Sequence, residues 1–306
     1  MSIEVSNLSK YYNEQAALDG ISFKIASGEI VGFLGPNGAG KSTTMKIITS
    51  FIPSSEGQVL VCGLDVEKDS MEVRRKIGYL PEHNPLYLEM YVKEYLTFVG
   101  SIYKVKNLKS RVAEMIQLVG LEREQHKKIG ALSKGYRQRV GLAQAIIHDP
   151  EVLILDEPTN GLDPNQLVEI RQLIKKIGET KTVMLSTHIM QEVEAICDRV
   201  IIINQGKIVA DDKTKELQAN HKTQVVIVEF DESSPVSKSE LSKIPGVNKV
   251  MTLEDKNTWL LEGTYAEEDL RKTVSRYASK KDWLVINLKT EERTLEQVFK
   301  ELTKSK

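Results

Sequence analysis

The residues from Gly35 to Thr43 have the types and spacing needed to hold the phosphates of a nucleoside triphosphate. They read Gly-Pro-Asn-Gly-Ala-Gly-Lys-Ser-Thr and match the pattern G-x-x-x-x-G-K-[ST] in full. The glycines let backbone N–H groups turn toward phosphate oxygens, and a helix that begins at Lys41 adds the positive end of its dipole. The alternative is a glycine-rich turn that binds nothing, but such a turn has no need of Lys and Ser in this order.

Two carboxylates, Asp156 and Glu157, follow the apolar run at 152–155. This pattern is typical of a buried parallel strand that delivers acidic side chains at its C-terminal end. One acid can hold magnesium through oxygen, while the other can accept a proton from an attacking water or orient it. A solvated acidic turn is the alternative, and the phosphate-binding pattern upstream argues against it.

His188 directly follows residues 182–187, which predict the next buried strand. A histidine in this position is often only a hydrogen-bonded structural residue. Open α/β sheets, however, collect their ligands at the C-terminal ends of the strands. We therefore predict that His188 belongs to the functional site.

These residues need a sheet and helices to position them. Residues 30–34 predict a buried strand leading into the phosphate-binding loop, and residues 41–50 can continue as a helix. Interleaved apolar and polar residues before position 26 predict a small antiparallel sheet, and helical spacing over 92–130 predicts a helical insertion.

The composition changes after about residue 218, and the order βαββαβ that follows suggests a small ferredoxin-like unit. Its fold assigns no function. Two roles stay open for this unit: it stiffens or covers a dimer of the chain, or it serves in docking or regulation.

The composition narrows the functional classes. The chain has 306 residues and a formal charge of -1, so no overall field favours nucleic acid or an anionic membrane. Its two cysteines, Cys62 and Cys197, lack metal-ligand spacing and fit a reducing compartment. No run approaches 18 apolar residues. We expect a cytosolic chain that does not span a membrane and has no nucleic acid partner.

With these motifs in this order, the first 220 or so residues resemble the nucleotide-binding domain of the ATP-binding cassette (ABC) family. The resemblance implies an α/β fold, a P-loop NTPase core with an antiparallel β subdomain and a helical subdomain at about 88–148. This domain is expected to span residues 1–218, with a C-terminal accessory α+β domain at 219–306.

The resemblance implies ATP and Mg²⁺ as ligands. It assigns Lys41, Glu157 and His188 to catalysis, with Lys41 on the β- and γ-phosphates, Glu157 as the general base or the residue that orients the water, and His188 on the γ-phosphate. The residues implied in nucleotide binding at the loop are Gly35, Asn37, Gly38, Ala39, Gly40, Lys41, Ser42 and Thr43. Those implied at the metal are Ser42, Asp156 and Glu82.

Three further features carry over with departures or alternatives. Tyr12 aligns best with the adenine-stacking aromatic of the family, although the residues alone leave Tyr11, or plain packing on the sheet, open. Ser133 and Gly135 belong to a signature usually written L-S-G-G-Q, which this chain changes to Leu-Ser-Lys-Gly-Tyr. Glu82 stands where the family has a glutamine, and an ionised carboxylate cannot donate a hydrogen bond.

The resemblance implies a homodimer that forms on ATP binding, with Ser133 and Gly135 completing the site of the opposite subunit and Asp163 in the loop that crosses the interface. It also implies an integral membrane permease as partner, which would hold the chain peripherally on the inner face of the cell membrane. Loop variants are similar to those of energising subunits of multicomponent exporters, among them the group associated with gliding motility.

Two other classes of protein are alternatives to a transporter subunit. A soluble cassette ATPase acting on ribosomes or DNA generally carries two cassettes or a long coiled-coil insertion, and neither is visible in the sequence. A nucleotide-binding regulator without useful hydrolysis is disfavoured by the presence of Glu157. The transported substrate is not encoded in this chain, because its contacts would lie in the permease.

Overall fold

The structure is a computed structural model that describes residues 1–219, 223–253, 257–264, 269–291 and 295–303. Its contacts divide the chain into two units. The first is Met1–Thr214, and the second begins at Lys215.

The first unit contains two sheets. Its strands are β1 (Ile3–Tyr12), β2 (Gln15–Ile25), β3 (Ile30–Leu34), β4 (Glu56–Val61), β5 (Leu64–Asp65), β6 (Ile77–Leu80), β7 (Val152–Asp156), β8 (Thr182–Thr187), β9 (Arg199–Asn204) and β10 (Lys207–Lys213). Its helices are α1 (Lys41–Ile48), α2 (Ser70–Lys76), α3 (Val92–Ile102), α4 (Leu108–Leu118), α5 (Lys134–Ile146), α6 (Pro164–Gly178) and α7 (Met190–Ile196). Helix α8 (Thr214–Ala219) begins at the boundary between the units.

The smaller sheet is antiparallel, with the strand order β2-β1-β4-β5. Its apolar side chains alternate with polar ones, as in a sheet with one buried face, and Val5, Ile21 and Phe23 lie in the core. This arrangement confirms the predicted antiparallel subdomain.

The larger sheet has the order β10-β9-β3-β8-β7-β6 and is parallel except for the β9-β10 hairpin. Strands β3, β7 and β8 are buried at every position, which explains their continuous apolar runs. Because the strands are parallel, the segments that follow β3, β6, β7 and β8 meet at one edge of the sheet. The residues singled out for chemistry lie on these segments.

Helix α1 packs between the two sheets. Its residues Met45, Ile47 and Ile48 belong to one apolar cluster with Val5 of β1 and Ile154 of β7. The helix that follows the phosphate-binding loop is therefore anchored from both sides.

Helix α3 buries Val92, Tyr95, Leu96 and Val99, a spacing that gives one apolar stripe. It packs against α4 and α5. These three helices form the predicted helical insertion between β6 and β7.

The second unit is built from β11 (Thr223–Phe230), α9 (Lys238–Leu241), β12 (Val247–Thr252), β13 (Thr258–Thr264), α10 (Leu270–Lys280), β14 (Val285–Glu291) and α11 (Leu295–Thr303). Its sheet is antiparallel with the order β12-β13-β11-β14, so β13 separates β11 from β12. This is the split arrangement of a ferredoxin-like unit. Its core includes Phe230 and Trp283, whose rings meet edge to face with centroids 5.5 Å apart.

Among the described residues, no helix has both the length and the apolar character needed to cross a membrane.

Candidate functional site

The phosphate-binding loop joins β3 to α1, as its sequence predicts. Two of its glycines are required by close approach. A Cβ on Gly35 would lie 2.4 Å from the carbonyl oxygen of Ile203, and one on Gly40 would lie 2.7 Å from Leu18 Cδ2. Gly40 also has a φ of 109°, which L side chains rarely adopt. The loop is therefore fixed against β9 and β2 with its backbone close to the site.

Lys41 is the first residue of α1 and is buried despite its charge. Its Nζ donates to the carbonyl oxygens of Gly35 and Pro36 at 2.7 and 3.2 Å, and lies 3.9 Å from Glu157 Oε1. Burial lowers the pKa of Lys41, and the negative charges of Glu157, Asp156 and Glu82 oppose that shift. The ammonium group is thus the cation of an otherwise acidic site.

Asp156 ends β7, and its Oδ1 is held by two hydroxyl groups. Ser186 Oγ donates to it at 2.5 Å and Ser42 Oγ at 3.3 Å. Ser186 Oγ in turn accepts from the backbone N–H of Glu157 at 3.0 Å. A single serine on β8 therefore fixes both the carboxylate of Asp156 and the start of the turn that carries Glu157.

Glu157 has a φ of 48°, in the left-handed region that non-glycine residues seldom occupy. Such strain often marks functional residues. Its Oε2 lies 3.0 Å from His188 Nδ1, and its side chain is only 8% exposed. The carboxylate thus lies between Lys41 and His188.

Glu82 follows β6 and faces the same space from the far side. Its Oε1 accepts from Asn160 Nδ2 at 3.4 Å. Asn160 belongs to the turn after Glu157, so this contact links the ends of β6 and β7.

These residues surround one cavity of about 480 Å³. Its lining residues are Ala17, Asn37, Gly38, Gly40, Lys41, Ser42, Thr43, Glu82, Glu157, Asn160 and His188. The structure thus brings most of the predicted site residues to one space. Asp156 lies behind them, in contact with Ser42.

Among the described residues, Tyr12, Ser133 and Gly135 do not line this cavity. The ring of Tyr12 is half exposed on β1, with Lys10 Nζ 5.5 Å from its centroid. Ser133 caps α5, accepting from the backbone N–H of Tyr136 at 3.4 Å.

The signature segment at the start of α5 packs on the start of α6. A Cβ on Gly135 would lie 2.6 Å from Gln166 Cδ, and one on Gly161 would lie 2.2 Å from Lys134 Nζ. Lys134, which replaces a glycine of the usual signature, therefore lies over the turn that leads to Asp163. Asp163 caps α6 by accepting from the N–H of Gln166 at 2.9 Å.

Ser186 and Asn160 were missed from the sequence. Ser186 lies near the end of a predicted strand that also contains two threonines, so nothing in the sequence distinguishes it from them. Asn160 lies in a turn-forming segment. The signal that identifies Ser186 is its register, because it pairs directly with Asp156 across β7 and β8.

A phosphate-binding loop at the carboxyl edge of a parallel sheet, with a buried carboxylate pair two strands away, defines a P-loop nucleoside triphosphatase. The family follows from comparison with known proteins. Residues 18–160 match the family described as ABC transporter. The chain is 40% identical over 217 residues to the ABC transporter ATP-binding protein YhcH of Bacillus subtilis, covering 70% of each chain.

Two other relatives bear functional names. The chain is 39% identical over 211 residues to the linearmycin resistance ATP-binding protein LnrL of Bacillus subtilis, covering 68% of each chain. It is 37% identical over 211 residues to the bacitracin transport ATP-binding protein BcrA of Bacillus licheniformis, covering 68% of this chain and 69% of that one.

A solved structure resembles the fold as well. The dimeric post-hydrolysis cassette MJ0796 bound to ADP and Pi superposes with a TM-score of 0.64 at 29% identity, over 69% of this chain and 98% of that one. The chain belongs to the ABC transporter family and is an ABC-type ATPase.

Proposed function

We propose that this protein is the ATP-hydrolysing subunit that energises a separate membrane-spanning permease, in the direction of export. The observation that carries the proposal is the single cavity in which Lys41, Ser42, Glu157 and His188 meet. The names of LnrL and BcrA, which mention resistance and transport of antibiotics, support an exporter. None of the relatives named above refers to motility, so gliding motility is not part of the proposal.

Hydrolysis would use the residues of the cavity in distinct roles. The backbone of the loop and Lys41 would hold the phosphates of ATP, with Lys41 exchanging its contacts to loop carbonyls for phosphate oxygens. Glu157 would accept a proton from the attacking water or orient it. His188, 3.0 Å from Glu157, would orient that carboxylate and contact the γ-phosphate.

The donor set fits magnesium. Ser42 Oγ and Asp156 Oδ1 are hard oxygen donors 3.3 Å apart, and Glu82 lines the same cavity. Across the described ranges, no group of three or more His, Cys, Asp or Glu side chains could hold a metal alone. This suits Mg²⁺, which is commonly held by one or two carboxylates together with substrate phosphates. Bound there, the ion would neutralise charge on the phosphate oxygens.

The site is proposed to be completed by a second copy of the chain. Ser133 and Gly135 lie at the start of a long helix and outside the cavity. Ser133 is exposed there and available to the nucleotide of another subunit, whereas Gly135 is buried beside Gln166. The dimeric state of the MJ0796 cassette supports this arrangement. Tyr12, with its exposed ring, is proposed to stack on adenine.

The permease is proposed to dock on an aromatic groove of about 800 Å³ in the first unit. Phe51 is 72% exposed at its edge, and Arg74, Tyr79, Tyr103 and His148 line it. Phe51 and Tyr103 expose large apolar side chains beside charged and polar residues of the groove, a combination that supports a protein interaction site. Glu82 lines both this groove and the nucleotide cavity. A partner in the groove would therefore contact a residue that also faces the nucleotide.

Purification of the tagged full chain from membranes in mild detergent tests the proposal. We expect a polytopic membrane protein in the complex, and ATPase activity of the complex above the basal turnover of the isolated chain. Phe51→Arg should lose that partner and keep the basal turnover of the isolated chain. The control is Leu253→Arg, at an exposed position directly after β12, which should keep both the partner and the turnover. Recovery of ribosomes or DNA in place of a membrane protein would contradict the transport role.

A further inference from the structure

Glu192 is a fully buried carboxylate that does not line the nucleotide cavity. It lies in the first turn of α7, with no part of its side chain exposed. Its Oε2 accepts from Thr187 Oγ1 at 2.7 Å. Its Oε1 has no hydrogen-bond partner in the described structure and lies 3.9 Å from Arg171 Nη2 of α6.

Burying a carboxylate is costly, and an apolar side chain of similar volume commonly replaces a buried ion pair without loss of stability. The charge is only partly compensated here. The N-terminal end of α7 favours a negative charge, and Arg171 approaches without reaching hydrogen-bond distance. Packing of α7 alone therefore gives no reason for an acid at this position.

The reason lies in what Glu192 holds. Thr187 is the last residue of β8, and its Oγ1 also accepts from the backbone N–H of Ile189 at 3.1 Å. Ile189 is the N-cap residue of α7, and its side chain makes no capping hydrogen bond. The hydroxyl of Thr187 thus bridges the residue after His188 to the carboxylate one helical turn on.

His188 is the residue enclosed by this network. Its neighbours on both sides are tied together through Thr187 Oγ1, and its own Nδ1 lies 3.0 Å from Glu157 Oε2. The ring itself is half exposed, so packing alone does not fix it. The position of the ring therefore depends on the hydrogen bonds that hold the backbone on either side of His188.

We infer that Thr187 and Glu192 are positioning residues for His188, and that Arg171 balances the charge of Glu192 from α6. The inference rests on the role proposed for His188 in hydrolysis. Neither Thr187 nor Glu192 needs to touch the nucleotide. Their effect is to hold the turn so that the imidazole meets Glu157.

Thr187→Val removes the hydroxyl and keeps the shape of the side chain. We expect kcat for ATP to fall by about ten- to hundredfold, as for a catalytic group displaced by about 1 Å, with KM for ATP within about twofold of the original. Thr187→Ser restores both hydrogen bonds and should recover most of the turnover. Glu192→Gln keeps an oxygen that can accept from Thr187, so it should lose less turnover than Glu192→Met.

Thr182→Val is the matched control. Thr182 is equally buried at the other end of β8, where its hydroxyl pairs with Ser2 Oγ at 2.8 Å and accepts from the N–H of Gly28 at 3.0 Å. It should lower the melting temperature without lowering kcat. A Thr187→Val protein with unchanged kcat, or one that loses no more than Thr182→Val, overturns the inference.

His188→Ala separates this inference from the proposed function. If His188→Ala lowers kcat while Thr187→Val does not, the positioning role is wrong and the role of His188 stands. If His188→Ala leaves kcat unchanged, the role proposed for His188 is wrong, and the positioning role is overturned with it.

Discussion

Replacing Glu157 with glutamine tests the chemistry proposed for the site most directly. The substitution keeps the size of the side chain and an oxygen that faces His188, 3.0 Å away in the structure. It removes the negative charge and the ability to accept a proton from water. Binding of ATP should be largely retained, because Glu157 faces Lys41 and His188 and lies outside the phosphate-binding loop itself.

The magnitude follows from the role and the surroundings. Loss of a general base costs about two to four powers of ten in rate, which is about 3 to 5 kcal/mol of transition-state stabilisation. The Coulomb attraction between Lys41 and Glu157 across 3.9 Å is about 4 kcal/mol at an effective dielectric constant of about 20, before the cost of desolvation is subtracted. Removing one partner of a buried pair is costly where the other charge is left uncompensated. Lys41, however, keeps its hydrogen bonds to Gly35 and Pro36 and the negative charges of Asp156 and Glu82 nearby. The fall in turnover should therefore occur in a folded protein.

The assay is steady-state release of phosphate at saturating Mg-ATP, combined with calorimetric titration of ATP and a melting curve. Glu151→Gln is the control, since Glu151 stands just before the opposite end of β7 and pairs with Lys76. It should keep its turnover. Light scattering should detect an ATP-dependent dimer of the Glu157→Gln protein. Unchanged turnover of Glu157→Gln, or a loss of ATP binding that accounts for the whole effect, would refute the reasoning.

Three further predictions concern the supports of the site. Ser186→Ala leaves Asp156 and the N–H of Glu157 without their buried partner, so it should lower stability by about 1 to 3 kcal/mol and reduce kcat, as measured by denaturant unfolding and phosphate release. Gly40→Ala adds a Cβ 2.7 Å from Leu18 at a φ of 109°, and calorimetry should find ATP binding abolished. Chelation of divalent cations by EDTA should stop phosphate release, and added Mg²⁺ should restore it. Normal turnover in Ser186→Ala, normal binding in Gly40→Ala, or turnover undiminished by EDTA would each contradict the assignment concerned.

Much of the fold follows from local pattern. The strand at Thr182–Thr187 has the predicted bounds, and the helix predicted over 41–50 ends two residues earlier, at Ile48. Helix α2 was not predicted, because it is short and buries only Val73. A segment with one buried side chain has almost no apolar residues at helical spacing, so the sequence gives little signal for a helix. The helix then depends on the elements that it packs against.

The sequence by itself determined the parts of the site that are contiguous in the chain. Gly35 to Thr43 and the pair Asp156 and Glu157 each carry their chemistry within a few residues, and the apolar run before each places it at a strand end. The carboxyl edges of parallel strands must then meet, so His188 could be assigned to the same place.

Only the tertiary structure decided which side chains support these groups. Ser186 holds Asp156 because the register of β7 and β8 pairs them, and Glu192 holds Thr187 because α7 turns back toward the end of β8. Hydrogen-bond partners of this kind are selected by distance in space, within about 3 Å. Separation along the chain does not reveal that distance until the strands and helices are packed.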